Sequence, residues 1–371
     1  MINEDNVNAL LKRAQREIDQ GLLPSCQVAL AQEGKVVMHE AFGDATTDTR
    51  YVMFSCTKAV VAGAVWLLIQ EGKLDVSKPV ADYIPEFATN GKKVVTVEQV
   101  MLHTSGFPSA PLGPPEWSTR EGRLRRFGEW RLNWEPGTAF EYHPTSAHWV
   151  LAELIERLSG SDYRRFIADR VTGPLGIPRL QVGVPPDQQG DIANLVLRGE
   201  VMTPDELEAA LGIRELPMTE VTDEVLLAFN HPDVRAVGVP GGGGVTNAAD
   251  LALYYQGLLH NPGEVWNPAL LTDVTSVVRQ NFPDPMLRTP ANRSLGLVIA
   301  GDDGLSYMRG MGRTVSPRAF GHNGAAGQVA WADPETGLSF VYLTNGIDQH
   351  IIRQYRRGTA VASLAGDCAS R

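Results

Sequence analysis

The distribution of apolar positions marks one continuous apolar stretch as the centre of the chain's organisation. Every residue from 59 to 69 is apolar or glycine, and Gln70-Glu71-Gly72 then ends the run. These eleven residues are too few to cross a bilayer, so the stretch predicts a helix buried in a protein core. Gly72 suits the left-handed conformation in which many helices end.

Short apolar or alternating runs near both ends of the chain predict β-strands. Residues 27–31 and 35–40 flank Glu33-Gly34, a sequence suited to a hairpin turn. Three further runs lie in the last third, at residues 295–300, 328–332 and 338–344. The predicted strands therefore come only from the two ends of the chain.

Helical periodicity predicts most of the other elements. At residues 203–206 the order Thr-Pro-Asp-Glu is a strong helix start, because Thr203 can cap the helix and Glu206 can close a capping box. The proline-rich segments 75–87 and 107–117 show no periodicity and are predicted as loops. The other predicted helices cover residues 7–18, 59–69, 96–102, 146–158, 248–259 and 348–364.

Composition and charge exclude several classes of partner. A chain of 371 residues exceeds one comfortable core, which predicts one large domain or two closely packed ones. A net charge of −10 gives no general field that attracts nucleic acid or acidic membranes. The three cysteines show neither a CxxC motif nor a spacing suited to zinc, so no metal site or cofactor is predicted. The acidic N-terminus lacks the features of a signal peptide, and we predict a cytoplasmic protein.

A cluster of arginines between residues 118 and 133 is the local exception to this acidic balance. The favoured interpretation is a solvated helix face, and the alternative is attraction of anionic ligands. The cluster consists of Arg120, Arg123, Arg125, Arg126 and Arg131.

The start of the buried helix carries the strongest candidate chemistry. Ser55 and Lys58 are three residues apart and therefore share one face of its first turn. Desolvation lowers the pKa of a lysine amine toward neutrality, so Lys58 can take the serine proton. The helix dipole and the Ser55 N–H favour negative charge at the same point. A serine that only caps the helix is the alternative, but a lysine at the mouth of so apolar a helix is costly without a partner or a task.

Three other places carry candidate site residues. Tyr142 lies in a loop just before a predicted helix, where it either faces a cleft or packs in the core. His322 is surrounded by small residues, as in a strand whose backbone lies open to a ligand, although a lone histidine is more often structural. Pro240 is followed by four glycines, which let backbone approach another group closely.

Taken in chain order, these residues resemble the three motifs of the serine β-lactamase and penicillin-binding-protein superfamily. Ser55 and Lys58 match its S-x-x-K motif, Tyr142 the second motif, and His322-Asn323-Gly324 the third. The overall order is most similar to class C β-lactamases and family VIII carboxylesterases. The similarity extends from about residue 20 to residue 345.

The resemblance implies an α/β fold of the α+β type, with two regions and the site in the cleft between them. Residues 1–80 and 233–371 are expected to form an α/β region, an antiparallel sheet flanked by helices. Residues 81–232 are expected to form an inserted, mostly helical region, in which residues 183–232 are a cap-like extension. The strand pattern agrees, since the predicted strands come only from the chain ends.

The resemblance also implies a mechanism. Ser55 would attack a carbonyl carbon and form an acyl-enzyme. Lys58 and Tyr142 would share the proton transfers, with a nearby ammonium favouring the tyrosinate so that Tyr142 acts as base and then protonates the leaving group. The backbone N–H groups of Ser55 and Ala325 would form the oxyanion hole.

Two departures from the family's pattern bear on the substrate. The second motif is often Y-x-N, and here Pro144 stands in place of the asparagine; the third is often K-T-G, and here His322 stands in place of the lysine. We therefore expect the substrate-binding residues His322, Asn323, Gly324 and Pro144 to suit a small-molecule ester better than a β-lactam. The pocket is expected to lack a fixed cation, to prefer uncharged acyl groups, and to gain charge on His322 as the pH falls toward 6.

The resulting prediction is a serine hydrolase that acts on carboxylic esters, as an esterase or an acyltransferase. The alternatives are a β-lactamase or D-amino-acid peptidase and, in another class, a non-catalytic sensor or scaffold. Because Ser55, Lys58 and Tyr142 are all present, loss of catalysis is the poorer interpretation. Other serine hydrolases are disfavoured, since the chain contains no G-x-S-x-G motif.

Overall fold

Both ends of the chain contribute to one six-stranded sheet in the computed structural model, which describes residues 2–216 and 220–370. The strands are β1 (Ser25–Gln32), β2 (Lys35–Gly43), β3 (Tyr51–Val52), β4 (Gln181–Val182), β5 (Val196–Arg198), β6 (Gly244–Thr246), β7 (Val298–Ile299), β8 (Phe320–Gly321), β9 (Val329–Asp333), β10 (Leu338–Thr344) and β11 (Gly346–Asp348). The helices are α1 (Glu4–Asp19), α2 (Thr57–Gln70), α3 (Val97–Met101), α4 (Arg120–Glu129), α5 (Ser146–Ser159), α6 (Tyr163–Ile167), α7 (Pro204–Leu211), α8 (Asp223–Leu227), α9 (Pro232–Val237), α10 (Ala248–His260), α11 (Pro268–Ser276) and α12 (Ile351–Gly366).

The large sheet is antiparallel, in the strand order β2-β1-β10-β9-β8-β7. β1 forms the predicted hairpin with β2 and pairs along its other edge with β10, so that Cys26 lies opposite Thr344. Successive side chains of a strand point to opposite faces. α10 covers one face of the sheet, and α1 and α12 cover the other. This arrangement confirms the predicted antiparallel sheet flanked by helices.

The apolar stretch at residues 59–69 forms the predicted buried helix, α2. Its residues 57–68 are all buried, and the helix packs against α5 of the middle region. Trp66 donates its indole N–H to the carbonyl oxygen of Leu295 at 2.9 Å, which fixes α2 to the segment ahead of β7. α2 thereby lies between α5 and the segment that precedes β7. Among the described residues no helix is long and apolar enough to cross a membrane.

The prediction that strands come only from the chain ends is wrong. β4 pairs with β6, which also pairs with β3, and β5 of the cap-like segment pairs in parallel with β11. These strands have two or three residues each, too few to show the alternation from which strands are predicted. The run at 295–300 is a strand only at β7. The domain boundaries at residues 80 and 232 stay predictions.

The arginine cluster is not simply a solvated helix face. Arg120 pairs with Glu153 and Arg123 with Glu156, each at 2.6 Å, and Arg123 is buried. Both glutamates lie on α5, so the arginines of α4 hold these two helices together. The sequence interpretation missed this because the carboxylates are about thirty residues away along the chain.

A buried ion network joins the first and last helices. Arg357 of α12 donates to Glu17 of α1 at 2.6 Å and to Asp348 at 2.7 Å, and all three side chains are at most 3% exposed. Burial raises the pKa of Glu17 and Asp348, but hydrogen bonds from arginines outweigh it and hold both pKa values below the ordinary carboxyl range.

Replacing Arg357 with Met should therefore lower the free energy of unfolding by about 3 kcal/mol, because two charge-assisted hydrogen bonds are lost while Glu17 keeps Arg13 and Asp348 keeps Arg353 as partners. A carboxyl whose folded pKa is lowered contributes stability above its ordinary pKa and loses it as the pH falls through the folded value. The loss of unfolding free energy in Arg357→Met should thus be largest near pH 7 and should become smaller below about pH 4. Urea melts across this range test it, with exposed Arg356→Met as control. A deficit that does not change with pH would contradict the assignment.

Candidate active site

Ser55 lies in a short 3-10 turn, Phe54–Cys56, immediately before α2. Phe54 has a positive φ of 43°, a strained conformation for a non-glycine residue. Thr57 holds the turn, since its hydroxyl donates to the carbonyl of Phe54 at 2.5 Å and accepts from the N–H of Gly244 at 2.9 Å. The turn buries the residues on either side of Ser55 and leaves Ser55 itself partly exposed.

Lys58 is fully buried and points at Ser55, as predicted. Its Nζ donates to Ser55 Oγ at 3.1 Å and to the carbonyls of Pro144 and Gly241 at 2.6 Å each. Burial, aided by the charge of Arg293, lowers the pKa of Lys58 to about 7. Both protonation states are therefore populated at neutral pH, so Lys58 can serve as a base.

The Pro144 and Gly241 contacts explain two sequence features. Although Pro144 has no side-chain amide, its backbone carbonyl accepts a hydrogen bond from Lys58 Nζ. The glycine run after Pro240 brings a second carbonyl to the same amine. A Cβ at Gly241 would lie 2.6 Å from the Pro144 oxygen, so only glycine permits this approach.

The segment after α7 reaches the site through Glu220. The Thr145 hydroxyl donates to Glu220 Oε1 at 3.3 Å. Burial raises the pKa of Glu220, while Thr145 and the charge of Lys58 oppose the rise. Glu220 is thus a carboxylate whose charge acts on Lys58 from the cap-like segment, a feature that the sequence analysis did not single out.

Tyr142 packs beside this pair as a neutral phenol. Its ring centroid is 4.9 Å from Lys58 Nζ, and its buried hydroxyl makes no hydrogen bond among the described residues. Burial raises the pKa of Tyr142 to about 12, although the charge of Arg293 opposes the rise. The expected tyrosinate is therefore not the resting form, because desolvation outweighs the nearby positive charge.

The two predicted oxyanion donors lie on segments that meet at Met53. Ala325 begins a 3-10 turn, Ala325–Gly327, just after β8. A Cβ at Gly324 would collide with the carbonyl of Met53, so glycine lets this segment lie against the residues that precede Ser55. Neither the Ser55 N–H nor the Ala325 N–H has a partner in the part of the chain that the structure describes. Their role as an oxyanion hole stays a prediction.

His322 is buried and neutral. Its Nδ1–H donates to the carbonyl of Asn323 at 2.8 Å, and its Nε2 accepts from Arg293 Nη1 at 3.2 Å. Burial and the charges of Arg293 and Lys58 hold the pKa of His322 well below its ordinary value. The expectation that His322 gains charge near pH 6 is therefore wrong.

The expectation of a pocket without a fixed cation is also wrong, because Arg293 supplies one. Arg293 could not be identified from the sequence pattern, since its only signal is an arginine next to the apolar run at 295–300. The side chain of Asn323, which was predicted to bind substrate, donates to the carbonyl of Gly310 at 3.0 Å and so fixes a neighbouring loop. Substrate contacts of Asn323 and Gly324 stay predictions.

Three further histidines brace the loop that carries Tyr142. His143 Nε2 accepts from the N–H of Phe107 at 3.2 Å, and its Nδ1–H donates to the carbonyl of Glu141 at 2.6 Å. Burial lowers the pKa of His143 to about 3. His103 accepts from the His143 N–H at 3.1 Å and lies 4.9 Å from the Tyr142 ring, while His148 stacks on His103. These neutral rings position Tyr142 and add no charge.

No set of three His, Cys, Asp or Glu side chains in the described ranges is arranged to hold a metal ion.

The chain is similar to proteins that carry esterase, β-lactamase and penicillin-binding-protein names. The Mycobacterium tuberculosis protein named Esterase/beta-lactamase LipL is 28% identical over 320 residues, which cover 81% of this chain and 70% of LipL. A penicillin-binding-protein homologue from Caulobacter crescentus superposes with a TM-score of 0.80 at 25% identity, covering 99% of both chains. A family VIII carboxylesterase superposes with a TM-score of 0.77 at 25% identity, covering 96% of both. Relatives in Escherichia coli and Salmonella carry the name "Putative D-alanyl-D-alanine carboxypeptidase".

The family model described as Beta-lactamase matches residues 8–357, which is nearly the whole chain. With the fold and the Ser55–Lys58 pair in place, the protein is a member of the serine β-lactamase and penicillin-binding-protein superfamily.

Proposed function

We propose that the protein hydrolyses carboxylic esters through an acyl-enzyme on Ser55. The observation that carries the proposal is the Lys58 amine, which is buried, hydrogen-bonded to Ser55 Oγ and lowered in pKa to about 7. A base with a pKa near the operating pH is suited to activating a serine. The names of LipL and of the family VIII carboxylesterase support esters as the substrate class.

In acylation, neutral Lys58 accepts the Ser55 proton as Oγ attacks the ester carbonyl carbon. The N–H groups of Ser55 and Ala325 stabilise the negative charge that develops on the carbonyl oxygen. Tyr142 donates its proton to the departing alkoxide and regains one from the Lys58 ammonium. Lys58 is then neutral again. It takes a proton from the water that attacks the acyl-enzyme and returns it to Ser55 Oγ as the bond between Oγ and the acyl carbon breaks and the acid leaves.

A β-lactamase or D-peptidase is the second candidate, and two observations favour it. One is the name shared by the Escherichia coli and Salmonella relatives. The other is the Arg293 guanidinium beside His322, which restores a fixed cation to the pocket. We rank it second because the name of the family VIII carboxylesterase indicates esters alone, whereas the name of LipL covers both esterase and β-lactamase activity.

The two candidates differ in the substrate they prefer. The kcat/KM should be greater for p-nitrophenyl butyrate than for a chromogenic cephalosporin or a D-alanyl-D-alanine peptide. Ser55→Ala is the control for non-enzymatic hydrolysis. A higher kcat/KM for the cephalosporin or the peptide than for the ester would reverse the ranking of the two candidate functions.

A fluorophosphonate should label Ser55 alone. The Lys58 base and the two unpaired N–H groups favour attack by this serine on a tetrahedral phosphorus, whereas the buried Ser105 and Ser146 are engaged in hydrogen bonds. Mass spectrometry of the labelled peptide checks the result, and Ser55→Ala should abolish labelling. An intact wild-type protein that takes no label would favour the non-catalytic sensor or scaffold.

A further inference from the structure

The hydrogen bonds of Lys58 include no negatively charged partner. Its Nζ donates to Ser55 Oγ and to the carbonyl oxygens of Pro144 and Gly241, all of which are uncharged. In the proposed mechanism this fully buried amine takes the Ser55 proton and becomes an ammonium. A buried cation without a nearby anion is costly, so the proton transfer is favoured by a negative charge close to Lys58.

Glu220 is held beside two of these hydrogen bonds. The Thr145 hydroxyl donates to Glu220 Oε1 at 3.3 Å, and Thr145 directly follows Pro144, whose carbonyl accepts from Lys58. A Cβ placed on Gly241 would lie 3.0 Å from the Cα of Thr145 and 3.5 Å from Lys58 Nζ. Thr145 therefore lies close to the Lys58 amine, and its hydroxyl holds the Glu220 carboxylate on that side of the site.

The other titratable groups around Lys58 supply no negative charge. Burial keeps the Cys56 thiol and the Tyr142 phenol protonated, since it raises the pKa of both. Arg293 is a cation and adds to the effect of burial in lowering the pKa of Lys58. Burial also lowers the pKa values of four nearby imidazoles and keeps them neutral, namely those of His103, His143, His148 and His322. Among the described residues, Glu220 is the carboxylate whose charge opposes that of Arg293 at Lys58.

We propose that Glu220 is a positioning residue for the transfer of the serine proton, because its carboxylate is fixed by Thr145 and stabilises the Lys58 ammonium that forms as Ser55 attacks. This inference rests on the proposed ester hydrolysis and gives the cap-like segment, through Glu220, a part in catalysis. The proton moves from Ser55 Oγ to Lys58 Nζ, and Glu220 takes up no proton. Without this charge the amine stays neutral to a lower pH but is a weaker base.

Glu220→Gln tests the inference, because it removes the charge and keeps the shape of the side chain. The measurement is the pH profile of kcat/KM for p-nitrophenyl butyrate, after subtraction of the rate with Ser55→Ala. The wild-type step, expected at about pH 7, should move about one pH unit lower in Glu220→Gln, the scale of one charge pair at a partly buried site. The plateau above the step should fall about 3- to 10-fold, because a weaker base accepts the proton. Glu224→Gln, which removes an exposed carboxylate of α8, should keep both values.

The pH of the step separates the charge of Glu220 from a merely structural contribution, which would lower the plateau and leave the step in place. A step that stays at the wild-type pH in Glu220→Gln overturns the inference and leaves ester hydrolysis at Ser55 standing. A wild type that does not hydrolyse the ester overturns the proposed function, and the inference with it. Should thermal melting show Glu220→Gln to be unfolded, Thr145→Val decides, because valine keeps the volume and removes the hydroxyl that holds the carboxylate. Its step should also move to lower pH, and an unmoved step overturns the inference.

Discussion

Replacing Lys58 with Met is expected to lower kcat for ester hydrolysis by at least ~10²-fold, because Ser55 loses the base that accepts its proton. The methionine keeps most of the side-chain volume, so the loss reports the amine rather than a cavity. Lys92→Met is the matched control. Lys92 is also fully buried and donates to the carbonyls of Thr89 and Trp130, away from the Ser55 site. Lys92→Met should be less stable than the wild type and should keep kcat within about threefold of the wild-type value.

The pH dependence of the wild type follows from the same group. Only the neutral amine accepts a proton, and the pKa of Lys58 is lowered to about 7. The logarithm of kcat/KM should therefore rise with a slope near 1 up to about pH 7 and level off above it. Lys58→Met should lack this step. A plateau that extends below pH 6 would show that Lys58 is not the base.

Tyr142→Phe is expected to lower kcat by at least ~10²-fold for alkyl esters, whose alkoxide leaving groups need a proton. The raised pKa of Tyr142 keeps its proton available for this donation. For p-nitrophenyl esters the loss should be much smaller, because the weakly basic phenolate leaves without protonation. The measurement is kcat for both ester types in Tyr142→Phe. Tyr163→Phe is the control, because it alters a buried tyrosine whose hydroxyl donates to the carbonyls of Val237 and Gly238.

The double variant of Lys58 and Tyr142 should lose far less than the product of the two single effects, because both residues serve one proton path. Additive losses would indicate two independent roles. Equal losses for alkyl and p-nitrophenyl esters in Tyr142→Phe would show that the tyrosine does not protonate the leaving group.

The sequence predicted the elements that depend on neighbouring residues. The run at 59–69 is a buried helix because so many consecutive apolar residues can only be accommodated in a core, and the three-residue spacing of Ser55 and Lys58 follows from helix geometry. The capping box at Thr203 also forms as predicted, since its hydrogen bonds join residues three apart.

Local pattern could not reveal the short strands or the ion pairs between α4 and α5. A strand of two residues has no periodicity, and β5 exists only because β11, far along the chain, offers it hydrogen bonds. In the same way, the sequence around Arg123 predicts a surface residue, and only the fold brings Glu156 opposite it.

The sequence by itself thus determined the superfamily and the pairing of Ser55 with Lys58, because these are carried by residue types at short, fixed spacings. Only the tertiary structure decided the electrostatics of the site. Burial and the charge of Arg293 lower the pKa values of Lys58 and His322, and burial keeps Tyr142 neutral against the charge of Arg293. Charge interactions act through space with a strength set by distance and desolvation, and the order of residues along the chain specifies neither.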